Sequence, residues 1–157
     1  MFEKILVPLD GSKVGEAALP VIERLITKCT EAEVEVTLLG VITLLRHWVV
    51  VGEASAPVSY TEDELTSIKE RVMNYLEKTG DSLKSKGITV KHMVPSGNAA
   101  EEILKAAGEI NADLIAMSTH GRSGLRRMAF GSITDKVLRG TKIPVLMVRA
   151  AEGTANV

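Results

Sequence analysis

The chain has little of several things that function often needs. Cys29 is its only cysteine among 157 residues. That excludes an intramolecular disulfide and a multi-cysteine metal site, and it suits a reducing compartment. The plain reading of Cys29 is a small buried residue. Aromatic residues number five, few for a flavin site, which needs rings to stack on. Neither sign of charge dominates: 19 basic residues face 20 acidic ones, for a formal charge of −1. Without a global basic field, nucleic acid and anionic membranes are not expected partners, and any anion site must be local. Long apolar runs are missing too. The apolar start gives way to Asp10 too soon for a secretory signal, and the run from Leu38 to Leu45 is broken by Arg46 and His47. A soluble, cytoplasmic protein is expected.

With 45% hydrophobic and 25% charged residues, the composition fits one globular domain, placed at residues 1–149, with a flexible tail over 150–157. Ile5, Leu6 and Val7 form a first buried strand, and Asp10-Gly11-Ser12 supplies turn chemistry. Ser12 is read as the N-cap of a helix over 13 to about 28 that Pro20 would kink. Val34 to Ile42 gives a second strand. Between Thr43 and Tyr60 the periodicity dissolves into a long connection holding Trp48, read as a surface or subunit-facing flap, with a ligand lid as the other reading. Thr61 and Glu64 make a capping box for a long helix ending near Gly87. Ile88 to Val94 alternates as a third strand, and Asn98 caps a third helix carrying Ile103, Leu104, Ala107 and Ile110. Ile143 to Val148 is the fifth strand. Strand and helix alternate throughout, which argues for a doubly wound α/β fold, Rossmann-like, with a parallel sheet covered by helices on both faces.

The organising segment runs from Asp113 to Thr134. Leu114 to Met117 is a strand buried on both faces, and the chain opens at Ser118 into Gly121, Gly124 and Gly131. Ser132 is read as the N-cap of a helix that stops at Gly140, so unpaired amides would point outward as an anion site. Gly121 and Gly131 would permit close backbone approach, while Ser132 and Thr134 would add hydroxyl donors to a triphosphate cradle. The competing reading is an ordinary strand-to-helix connection, and spacing alone leaves both open. Asp10 could accept hydrogen bonds from a base or ribose, or simply cap the first helix. Arg122 is the cation assigned to phosphate; Arg126 and Arg127 are read as solvated. His120 stands alone without companions at metal-ligand spacing, so no metal site is expected beyond Mg²⁺ arriving on a nucleotide. There is no GxxxxGK[ST] loop. A receiver domain is disfavoured because the third strand ends at His92-Met-Val-Pro95 without a phosphoacceptor aspartate. An exposed fifth strand invites aggregation, so a homodimer pairing Ile143 to Val148 is expected.

Gly, two residues, Gly, nine residues, Gly and Ser/Thr is the nucleotide-binding pattern of the universal stress proteins, and the chain resembles it with Ser118, Gly121, Gly131 and Ser132. Serine replaces the first glycine. The resemblance extends from Lys4-Ile-Leu-Val-Pro-Leu-Asp-Gly-Ser12 to Ile143-Pro-Val-Leu-Met-Val148. It implies a sheet of five parallel strands in the order 3-2-1-4-5, which sets the Asp10 turn beside the Ser118 loop at the switch point. It also implies ATP as ligand, possibly with Mg²⁺. Pro8, Leu9 and Val41 would border the base, Met117 and Ser118 would lie along base and ribose, and Ile133 would offer an amide near the phosphates. A regulatory role would add an unknown downstream protein partner. The alternatives are a slow ATPase and a stress-family dimer that binds no nucleotide and acts through protein partners.

Overall fold

The computed structural model describes residues 2–29, 33–43, 47–51, 54–58, 60–119 and 131–150. Side chains of the β3–β4 hairpin and of Cys29 are outside that description. Five strands form a parallel sheet: β1 (Lys4–Leu9), β2 (Glu35–Gly40), β5 (Thr89–Met93), β6 (Leu114–Thr119) and β7 (Val145–Arg149). Their spatial order is β5-β2-β1-β6-β7, which is 3-2-1-4-5 when only sheet strands are counted. The remaining strands, β3 (His47–Val51) and β4 (Ala54–Val58), make a separate antiparallel hairpin. It lies where the sequence showed only a long connection.

Residues of β1 are apolar in succession because both faces are covered. Ile5, Val7 and Leu9 join Ile22, Leu38, Leu76 and Leu83 under α1 (Leu19–Cys29) and α2 (Glu62–Lys84). Leu6 points the other way, with Leu39, Ile103, Ala107, Ile115 and Val137, under α3 (Ala99–Glu109) and α4 (Ser132–Gly140). Alternate side chains thus feed two cores from one strand.

Helix starts follow local chemistry. The Thr61 hydroxyl accepts from the Glu64 amide at 3.2 Å, and the Thr61 amide donates to Glu64 at 2.8 Å, completing the capping box of α2. Asn98 accepts from the amides of Ala100 and Glu101. The first helix departs from expectation. Ser12 does not open an α-helix; a 3-10 turn over Gly15–Ala18 intervenes, and α1 begins at Leu19. Pro20 therefore sits in the first turn of α1, where proline is tolerated. At the other end, Ala150, which the sequence assigned to the tail, is buried and its amide donates to Thr119. Residues 151–157 lie outside the described residues.

Candidate functional site

The site sits at the carboxyl ends of β1 and β6, adjacent strands whose following elements go to opposite faces. β1 ends in a tight turn. Asp10 Oδ1 accepts from the Ser12 amide at 2.9 Å and from the Ser12 hydroxyl at 2.6 Å. Gly11 between them has φ +83°, a left-handed conformation that favours glycine. The Ser12 hydroxyl in turn accepts from the Gly15 amide at 3.0 Å. Across the crevice, the Ser118 hydroxyl at the end of β6 donates to the Gly15 carbonyl at 2.9 Å. One short turn, centred on Gly15, therefore ties together the two strand ends that the sequence reading paired.

The turn is also braced from α2. The phenol of half-buried Tyr75 donates to Glu16 at 3.1 Å, and Lys13 pairs with the other Glu16 oxygen at 2.8 Å. Burial, then the negative charge of Glu16, raises the Tyr75 pKa well above the ordinary phenol range, so it remains a donor. Beside this brace lies a hollow of about 320 Å³, the lower end of the range for small-molecule sites. Leu9, Asp10 and Val41 form its sheet side; Arg71, Val72 and Tyr75 of α2 form its helix side. The α2 contribution was missed in the sequence. Its only trace there is an arginine and a tyrosine interleaved with the apolar stripe of Ile68, Val72 and Leu76.

The third part is the start of α4. Its N-cap is Gly131, with φ −54° and ψ 154° and no side-chain cap, and Ser132 is the first helical residue. Ser132 is therefore not the N-cap, because it is Gly131 that carries the extended backbone. Gly131, Ser132 and Ile133 are exposed, whereas Thr134 is turned into the core at 7% exposure. Thr134 offers the open end its backbone rather than its side chain. Met117 is likewise nearly buried, packed with the α3 and α4 core, and Pro8 is half-buried in β1. Gly121 and Arg122 lie outside the described residues, as do His120, Gly124, Arg126 and Arg127.

Chemically, the described groups offer acceptors at Asp10 and Ser118, an apolar hollow edged by Arg71, and a helix start without a side-chain cap, where partial positive charge gathers. Base, sugar and phosphate would each find a suitable partner there. Among the described residues, no cluster of three His, Cys, Asp or Glu could hold a metal, and no helix is long and apolar enough to cross a membrane.

Comparison with known proteins identifies the family and the fold. The family model described as Universal stress protein family matches residues 1–149. The chain is 30% identical to the universal stress protein YxiE of Bacillus subtilis over 149 residues, covering 95% of this chain and 100% of that one. It is 32% identical to universal stress protein MJ0577 of Methanocaldococcus jannaschii over 158 residues, covering 95% and 96%. The solved structure of MJ0577 superposes with a TM-score of 0.74 at 28% identity, over 98% and 99% of the two chains. More distant structures share the fold: a universal stress protein in complex with cAMP (TM-score 0.65, 20% identity, 96% and 99% covered) and an Arabidopsis thaliana family protein with AMP bound (0.66, 12%, 99% of each).

Proposed function

The chain belongs to the universal stress protein family, and we propose that within it this protein binds ATP as a regulatory ligand, with little or no hydrolysis. The observation that carries the reading is the join at Gly15: Asp10 and Ser118, from separate strands, each lie against this residue at the switch point where α/β sheets take ligands. The base would occupy the hollow bounded by Leu9 and Val41, the ribose would lie along Asp10 and Ser118, and the phosphates would lie toward the amides of Ser132 and Ile133, with Gly121 and Arg122 contributing from the adjoining loop. Mg²⁺, where present, would come with the nucleotide. Two fold neighbours bind nucleotides, which supports the ligand class. The working form is a cytoplasmic homodimer joined along β7, signalling to a protein partner.

Calorimetric titration of ATP with Mg²⁺ into nucleotide-free protein, with GTP as control, tests this. Saturable ATP binding near one per chain is expected. Turnover above about one per second would place the protein among ordinary enzymes instead. Ser118 motivates a second reading, a dimer that binds no nucleotide, because a side chain stands where the family pattern has glycine. Absence of ATP binding would favour it.

A further inference from the structure

We propose that Ser118 and Asp10 form an acceptor pair that selects ligands presenting two adjacent hydroxyl donors, and that Ser118 is the specificity-determining member. The inference rests on the nucleotide reading and deepens it. A serine hydroxyl has one proton and two lone pairs. The proton of Ser118 is committed, because its partner at 2.9 Å is the Gly15 carbonyl, which can only accept. The Ser12 proton is committed in the same way to Asp10 Oδ1, at 2.6 Å. Both bonds from Ser12 fall on Oδ1, so Asp10, which is exposed, keeps the lone pairs of Oδ2 for an outside donor. Toward a ligand, these two side chains therefore present lone pairs and no protons.

The two groups are neighbours. A Cβ on Gly15 would stand 2.5 Å from Asp10 Oδ1, and the carbonyl of the same residue holds Ser118. A ribose lying across Gly15 would present its cis-diol to both acceptors, one hydroxyl to each. A sugar lacking either hydroxyl leaves one acceptor unpaired as water is displaced. Glycine at position 118 would supply no such group. The serine thus adds a reading of the sugar and also holds the Gly15 turn in place.

The experiment titrates ATP, 2′-deoxy-ATP and 3′-deoxy-ATP into the full chain and into Ser118→Ala and Ser118→Thr. For the parent, losing either hydroxyl should weaken binding about tenfold, the scale of one hydrogen bond to an otherwise unpaired group. In Ser118→Ala, one of the two penalties should shrink to about twofold or less while the other, read by Asp10, persists. Ser118→Thr, which keeps the hydroxyl, should restore both. Equal weakening of all three nucleotides by Ser118→Ala would reduce Ser118 to a brace and overturn the inference. A parent that binds ATP without discriminating the deoxy forms would overturn it too, leaving the nucleotide reading intact. A parent that binds none of the three would overturn both.

Discussion

Gly15 matters because it lacks a side chain. Its added Cβ would stand 2.5 Å from Asp10 Oδ1 and 3.4 Å from both Asp10 Cγ and Ser12 Oγ, so Gly15→Ala must push the carboxylate out of its turn. Asp10 is exposed, so little core packing is lost and the melting temperature should move by only a few degrees, about 1 kcal/mol in a domain of this size. ATP affinity should fall at least tenfold, about 1.4 kcal/mol. Calorimetry alongside a thermal melt separates the two effects; unchanged affinity would remove Asp10 from the site. His92 poses a different problem. Its Nε2 is buried without a hydrogen-bond partner among the described residues, where α2 crosses β5 at Gly80. Burial, then the positive charge of Lys84, depresses its pKa, against the opposing pull of Glu77 and Asp81. The folded state therefore holds this proton less tightly than the unfolded chain, whose value is near 6.5. Stability from this group is complete above that value and is lost as pH falls below it, levelling off beneath the folded pKa. Denaturant midpoints of the parent should drop between neutral and mildly acidic pH, and His92→Gln should flatten that part of the profile. An identical slope in the variant would clear His92 of the effect.

At the scale of elements, α4 is the part whose sequence reading was right in kind and off by one position. Both Ser132 and Gly131 suit a helix start, and only the extended ψ of Gly131 decides between them. The consequence is testable, because Gly131 has φ −54°, outside the left-handed range, and among the described residues an added Cβ meets nothing within 4 Å. Nothing in the described fold requires glycine there. Gly131→Val should melt within a few degrees of the parent, while ATP binding falls beyond detection if phosphates approach these amides. Retained affinity would move the phosphates elsewhere. The other differences between sequence and structure also arise where local signals compete. Ser12 does make the N-cap bond, its hydroxyl accepting from the Gly15 amide three residues on, but the turn that follows is 3-10 over Gly15–Ala18 before α1 begins. The β3–β4 hairpin was hidden because β4, Ala54–Val58, holds small residues and Pro57, which weigh against a strand. Where one signal stood alone, as at Thr61 with Glu64 or at Asn98, the helix began as read.

For the molecule as a whole, the two-faced core follows from patterns that repeat along the chain, whereas the strand order was legible only through the family resemblance. The hollow follows from neither, since Arg71 and Tyr75 reach Asp10 only through the packing of α2 across the sheet. The sheet also leaves two edges of unlike character. β5 carries Lys91, exposed and paired with Glu35 at 2.6 Å, a charge of the kind that blunts an edge. β7 is apolar until Arg149, with Val145, Leu146, Met147 and Val148 all half-buried. Beside β7, on the α1 face, lies a groove of about 560 Å³ lined in part by Phe2, Leu25, Pro144 and Leu146. An open edge continuous with an apolar groove fits a second copy, which would extend the sheet and cover the groove together. Light scattering at micromolar concentration should give twice the chain mass. Phe2 is 38% exposed and precedes β1, so Phe2→Asp adds a charge to the groove at little cost to the fold. That variant should shift toward the monomer with an unchanged circular dichroism spectrum. A parent that scatters as a monomer would overturn the dimer. A variant that stays dimeric beside a dimeric parent would keep the assembly but move its contact away from the groove.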